Sequence, residues 1–503
     1  MGARSSGLPS ASTGVQAYPA IFWSAVQTIG VRVLTFGVFI VLARLLSPAD
    51  FGLVASAGAI LLLMDVLSDQ GLLTALVQKK VLSPEDIDSA FWFSFGAATI
   101  AAAGISAASG LVARTFGDTR LQLLICILSI TMPVGVWCRL YESILQRDLR
   151  LRGIALRGLV SAIAGGAAAI ALASLGMGVW SLVVKQFVEV LTSLFVLRAL
   201  SAWRPRLRFS WNSVTKMLPF GTGIMGYRMV DFLHGRLDNL IIAGALGATP
   251  LGYFNMGQRL HQVALEGFTT TVHRVVFPKL SQLQTEHIEY ARFFLQAVRL
   301  TAFVAVPTFA YLAVMGDLLI SLLLGRKWEA ASGVFRILCL GGMITSFSYL
   351  DSAAFLSRAK SMQLFWLVAV SGVLNLCGYL MFVSYGIAAI AVVFVVRGLL
   401  ISPLLLVLTS RVVGIGTSDY LRQVSKPLLG SLLGIMLLIL VKPLVKETSA
   451  LVELCVTGIM FSLSYLAWAA LADRKTLRRL SNVVIGLMDA KAASRSRCPG
   501  RHG

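Results

Sequence analysis

Charge is scarce in this 503-residue chain, and acid above all: only 13% of residues are charged, with 23 Asp and Glu against 44 Lys and Arg. A soluble globular domain carries about 25% charged residues, so a soluble or disordered protein is excluded. No polar connection is long enough to hold a soluble catalytic domain. Six cysteines (Cys126, Cys138, Cys339, Cys377, Cys455 and Cys498) form no CxxC pair. Five of them fall in apolar runs and read as small core residues. There is no GxxxxGK[ST] loop, so no ATPase subunit is expected. No metal-ligand or cofactor pattern stands out, so neither a metal nor a cofactor is expected. The first residues, Met1-Gly-Ala-Arg-Ser-Ser-Gly, lack an apolar stretch, so no cleavable signal peptide is expected.

Apolar residues make up 57% of the chain, and the mean hydropathy is +0.81. Fourteen runs reach the roughly 20 residues needed to cross a bilayer. They lie near 20–45, 52–77, 89–111, 121–145, 154–175, 179–198, 218–246, 251–275, 295–318, 334–357, 363–384, 387–410, 428–446 and 450–472. The expected fold is therefore an all-α polytopic membrane protein. An outer-membrane barrel is excluded, because its strands alternate and lack long apolar runs. The net charge of +21 does not point to nucleic acid, since the basic residues punctuate the spans. With the N-terminus placed inside, 29 Lys and Arg fall on inner segments. Seven fall outside: Arg44, Arg114, Arg120, Arg326, Lys327, Lys442 and Lys446. By the positive-inside rule both termini are cytoplasmic.

The chain repeats itself. Ala43-Arg-Leu-Leu46-Ser-Pro-Ala-Asp-Phe-Gly52 shares Ala, Leu and Gly with Ala243-Gly-Ala-Leu246-Gly-Ala-Thr-Pro-Leu-Gly252, 200 residues later. Leu145-Gln-Arg147 and Leu356-Ser-Arg358 match in the same order, as do Gly176 and Gly386. Six spans lie over six, giving a parallel pseudo-two-fold. The expected organisation is a cytoplasmic N-terminus (1–19), an N-lobe (20–200), a cytoplasmic linker (201–217), a C-lobe (218–410), two extra helices (428–472) and a basic cytoplasmic tail (473–503).

Charge inside a span is costly and marks a cavity or a partner. Span 1 carries Ser24, Thr28, Arg32 and Thr35 on one stripe; span 7 carries Arg228, Asp231, His234, Arg236, Asp238 and Asn239. Span 8 carries Asn255, Arg259, Gln262, Glu266, Thr270 and His273 within about 80° of arc. Arg336 and Arg397 stand isolated in later spans. Arg139 with Glu142 and Lys185 with Glu189 read as neutralising pairs on one helix; Asp65 and Asp69, on one face of span 2, read as structural or capping residues, with a cation site as the alternative. A guanidinium binds phosphate through two parallel hydrogen bonds. The arginine bias therefore marks Arg32, Arg228, Arg236, Arg259, Arg336 and Arg397 as the anion-binding set. Cation coupling, in the competing reading of a small-molecule antiporter, would fall to Asp231, His234, Asp238 and Glu266. A membrane-embedded enzyme would need a large outer loop, and the outer loops are short.

Several stretches resemble the polysaccharide-biosynthesis oligosaccharide flippases of the multidrug/oligosaccharidyl-lipid/polysaccharide exporter superfamily. They include Ala43-Arg-Leu-Leu-Ser-Pro-Ala-Asp-Phe-Gly-Leu, Asp69-Gln-Gly-Leu-Leu-Thr-Ala-Leu-Val-Gln, Gly178-Val-Trp-Ser-Leu-Val and Arg236-Leu-Asp-Asn-Leu-Ile-Ile. The resemblance implies a two-lobed helical exporter with a central cationic cavity, and no enzyme activity. The implied substrate is an undecaprenyl-pyrophosphate-linked oligosaccharide, carried across the bacterial inner membrane for exopolysaccharide or lipopolysaccharide synthesis. Membrane lipids, a polysaccharide polymerase and glycosyltransferases would be the partners, with no role for nucleic acid. The membrane potential would favour the outward passage of such an anion by about 2.3 kcal/mol per charge per 100 mV.

Overall fold

The computed structural model describes residues 30–68, 71–79, 81–148, 150–445 and 449–474. The side chains of Tyr227, Asp231, Leu233, His234, Thr270, Thr271, His273, Arg274 and Val445 lie outside that description. Ser24, Thr28, Asp69, residues 1–19 and the tail beyond 474 also lie outside the described residues.

Among the described residues the regular structure is helical, with no strand. In order the helices are α1 (Val31–Leu45), α2 (Pro48–Ser68), α3 (Leu72–Gln78), α4 (Pro84–Thr115), α5 (Arg120–Ser129), α6 (Thr131–Arg147), α7 (Leu151–Ser174) and α8 (Val179–Leu200). There follow α9 (Trp211–Gly235), α10 (Leu237–Leu246), α11 (Ala248–Thr271), α12 (Phe277–Gln282), α13 (His287–Leu324) and α14 (Glu329–Ser357). The last are α15 (Ser361–Phe382), α16 (Ile387–Val413), α17 (Thr417–Val445) and α18 (Ala450–Ala472). Eleven segments among the described residues are long and apolar enough to cross a membrane. They coincide with expected spans 2–6 and 9–14. The three others expected, spans 1, 7 and 8, are those with polar stripes, and of span 1 only α1 is described.

Outward-facing apolar side chains are abundant on the later helices: Leu400 is 68% exposed, Leu440 71% and Leu444 82%. Such surface is stable only against lipid. Buried small residues close the helix contacts instead, as Ala43, Ala57, Ala155 and Ala169 do.

The contacts divide the chain into two units. One holds the described residues up to Asn255 with Tyr379–Ile387; the other holds Met256–Gly378 and the described residues from Ala388. In the first unit α4 starts at a capping box: the Ser83 hydroxyl accepts the Asp86 N–H at 3.2 Å and the Asp86 carboxylate accepts the Ser83 N–H at 3.0 Å. Lys79 donates to Asp86 at 2.6 Å. Arg147, at the end of α6, donates to the carbonyls of Leu76 (2.7 Å) and Lys79 (2.5 Å), satisfying the open end of α3. Trp203 donates to Asp88 at 3.1 Å and Trp92 to the Arg206 carbonyl at 2.7 Å, which ties the 201–210 connection to α4. In the turn between α4 and α5 the Arg120 guanidinium hydrogen-bonds Asp118 and holds its carboxyl below the usual carboxylate range.

The repeated glycines meet in this unit. A Cβ on Gly52 would lie 1.7 Å from the Ala248 carbonyl oxygen, and one on Gly252 would lie 2.0 Å from that of Pro48. The first turns of α2 and α11 therefore touch backbone to backbone, which only glycine permits.

In the second unit α17 and α18 pack on α13. The Tyr311 hydroxyl donates to the Leu454 carbonyl and that of Tyr465 to the Phe303 carbonyl, both at 2.9 Å. Arg299 pairs with Asp473 beyond the end of α18. The cysteines divide: Cys138 and Cys339 are buried core residues, Cys126 is half-buried, and Cys377 and Cys455 are exposed. The core assignment therefore fails for the last two, which sit on helix faces turned away from the packing.

Candidate functional site

The segment expected as span 7 is not one helix. α9 ends at Gly235 and α10 begins at Leu237, with Arg236 between them at φ −138° and ψ −5°. α10 has ten residues, about 15 Å of helix, which is half of a hydrocarbon core of about 30 Å. The break therefore leaves α10 too short to cross a bilayer by itself. Arg236 is exposed there. Asp238, in the first turn of α10, is 6% exposed and its Oδ1 accepts the Asn239 N–H at 2.8 Å. Its position in the first turn complements the positive helix end. The Asn239 side-chain oxygen is buried with no partner among the described residues.

The other candidates are spread along the chain. In the first unit Arg32 is exposed on α1 and Arg228 is half-buried on α9. In the second, Arg259 is exposed on α11, without an ion-pair or hydrogen-bond partner among the described residues, and Glu266 is half-buried seven residues further along the same stripe. Asp231 and His234 lie on α9, but their side chains are outside the described set.

Two arginines expected to be isolated are engaged. Arg336 pairs with Asp317 at 2.8 Å and donates from Nε to the Ala313 carbonyl at 3.0 Å. Arg397 donates to the Ser371 hydroxyl at 2.6 Å and to the Asn375 side-chain oxygen at 3.2 Å, and lies over the Phe394 ring at 4.8 Å. Arg397 also borders a cavity of about 40 Å³ with Thr345, Ser348 and Ser402, room for little more than one or two waters. Both were isolated on their own helices only; each finds its partners on a neighbouring helix.

The same correction applies to Arg139 and Glu142. They do not pair with one another along α6. Arg139 grips Asp65 of α2 with both terminal nitrogens, at 3.0 and 3.1 Å, and Glu142 pairs with Arg157 of α7. Lys185 and Glu189 do form the expected pair within one helix, at 2.7 Å. One-dimensional spacing finds i, i+4 partners but cannot see across a helix interface. Arg157, counted only among the 29 inner Lys and Arg, escaped notice as a partner for this reason.

The model of the polysaccharide biosynthesis protein family matches residues 41–333. The succinoglycan biosynthesis transport protein ExoT of Rhizobium meliloti (strain 1021) is 28% identical over 324 residues, which is 64% of this chain and 66% of ExoT. The lipopolysaccharide biosynthesis protein WzxC of Escherichia coli (strain K12) is 24% identical over 340 residues, 67% of this chain and 69% of WzxC. The chain thus aligns with about two thirds of the length of these relatives. The solved structure of the lipid II flippase MurJ in its inward closed conformation superposes with a TM-score of 0.74 at 14% identity, covering 91% of this chain and 100% of that one. That likeness establishes a shared all-helical membrane fold. With the family model spanning more than half of its residues, the chain belongs to the polysaccharide biosynthesis protein family.

Proposed function

We propose that this protein is a flippase, a transporter rather than an enzyme. It moves undecaprenyl-pyrophosphate-linked oligosaccharides from the cytoplasmic to the outer leaflet of the bacterial inner membrane. The observation that carries the reading is the break at Arg236. An interrupted span, with an exposed guanidinium at the interruption, is how a membrane protein meets an anion away from water. Family membership supplies the sugar-lipid chemistry. Arg32, Arg228 and Arg259 join Arg236 in this reading as groups for the pyrophosphate or for acidic sugars. Arg336 and Arg397 are assigned to holding helices together. The lipid tail stays in the bilayer while the head group crosses. Deleting the gene should leave sugar-bearing undecaprenyl lipid on the cytoplasmic leaflet and strip polysaccharide from the surface. Drug or sodium sensitivity with polysaccharide intact would favour an antiporter instead.

The proposed topology has both termini cytoplasmic. Reporter fusions after residues 116, 248, 327 and 447 should read periplasmic, and those after 83, 206, 284 and 416 cytoplasmic. A single swapped pair would break the fourteen-span count.

The polar stripe of α11 is assigned to water. Arg259→Cys and Glu266→Cys, in a chain otherwise free of cysteine, should react with a membrane-impermeant thiol reagent. Leu260→Cys and Leu265→Cys should not, since both positions are buried. Equal labelling at all four would remove α11 from any aqueous path.

A further inference from the structure

Three ion pairs stand along the membrane-spanning helices of the first unit: Asp65–Arg139, Glu142–Arg157 and Lys185–Glu189. They join α2 to α6 and α6 to α7, and the third lies on α8 against α7. Gly165 of α7 makes room for it; a Cβ there would lie 2.3 Å from Glu189 Cγ. Counting from the Arg147 end of α6, Glu142 lies about 8 Å and Arg139 about 12 Å into the segment, at 1.5 Å per residue. Counting from the Leu200 end of α8, Glu189 and Lys185 lie about 17 and 22 Å in. The three pairs thus stand at increasing depth along their helices, and together they are called the ladder.

Each of the six side chains remains between 25% and 31% exposed. Half-open charges cannot face hydrocarbon, so this surface is wetted. Stability does not account for it, because apolar residues of similar size serve as well as a buried pair. The ladder's chemistry is particular. Three cations and three anions sum to zero, so the surface does not concentrate phosphate or a metal ion. What it offers is donors beside acceptors. The Nε groups of Arg139 and Arg157 are, in addition, buried donors with no partner among the described residues. A sugar hydroxyl both donates and accepts, and matches such paired groups.

We propose that the ladder is the sugar-binding surface of the transporter. It receives neutral glycan hydroxyls, while the pyrophosphate is held by arginines elsewhere. This rests on the flippase reading and refines it: recognition of the glycan and of the anchor is divided between a charge-balanced surface and a cationic one.

The test uses the full-length protein in lipid nanodiscs and two probes. One is undecaprenyl pyrophosphate; the other is the sugar-bearing undecaprenyl lipid that accumulates in cells lacking the protein. Two variants remove whole pairs without leaving a lone charge, Glu142→Leu with Arg157→Met and Lys185→Met with Glu189→Leu. Wild type should bind the sugar-bearing probe more tightly. Each double variant should lose roughly tenfold of that affinity, the worth of one or two hydrogen bonds, with sugarless binding unchanged. Equal loss for both probes would make the ladder structural and overturn the proposal, as would no loss for either. Wild type that binds neither probe would overturn the flippase reading, and this inference with it.

Discussion

Cells carrying Arg236→Ala or Arg259→Ala in place of the wild-type protein are expected to export roughly one to two decades less polysaccharide, since a charge-assisted hydrogen bond is worth about 1.5–3 kcal/mol. Sugar-bearing undecaprenyl lipid should accumulate behind the block. Both guanidiniums are exposed, so truncation creates no cavity and protein level should hold. The lysine variants separate charge from shape. Lysine keeps the positive charge and loses the planar fork, so Arg236→Lys should recover part of the export and no more. Radiolabelled sugar incorporation, normalised to membrane protein on a blot, would measure it. Normal export from both alanine variants would place anion recognition elsewhere. Full recovery by lysine would show that a point charge suffices and that the bidentate contact is not used.

The second large effect lies far from the arginines. Gly252→Val and Gly52→Val should each remove most of the folded protein. The new Cβ would sit 2.0 Å from the Pro48 carbonyl oxygen in one case and 1.7 Å from that of Ala248 in the other. Backbone cannot swing aside as a flexible side chain can, so the first turns of α2 and α11 must separate. Overpacking costs about 1–3 kcal/mol and sometimes more, against a total stability of about 5–15 kcal/mol. The alanine variants should lower the melting temperature in detergent, and the valine variants should leave little monodisperse protein on size exclusion. Gly58→Ala is the control, because a Cβ there meets nothing within 4 Å, and it should be silent. Stable, monodisperse Gly252→Val would mean that α2 and α11 do not touch.

The glycine pair shows how far the sequence reads by itself. Gly52 and Gly252 were legible as repeat partners, because a repeat is a property of the string. That they lie against each other was not, since spacing along a chain does not say which helix faces become neighbours. Arg139 makes the same point from the other side. On its own helix its nearest acid is Glu142, and helical periodicity favours that pair. The fold instead sets Asp65 of α2 opposite both terminal nitrogens, a bidentate geometry that a partner one turn along the same helix does not supply.

Composition and hydropathy determined that this chain is an all-helical, multi-pass membrane protein. In hydrocarbon every backbone polar group needs an internal partner, and long apolar runs can meet that need only as helices. The polar stripes of expected spans 1, 7 and 8 were equally plain, because a charge among apolar residues is conspicuous at any fold. Tertiary structure decided the rest. It broke span 7 at Arg236, engaged Arg336 and Arg397 with neighbouring helices, and paired Arg139 with Asp65 and Glu142 with Arg157 across helix interfaces. Those outcomes depend on which faces pack, and packing is settled by the shapes of side chains on different helices, which no single helix encodes.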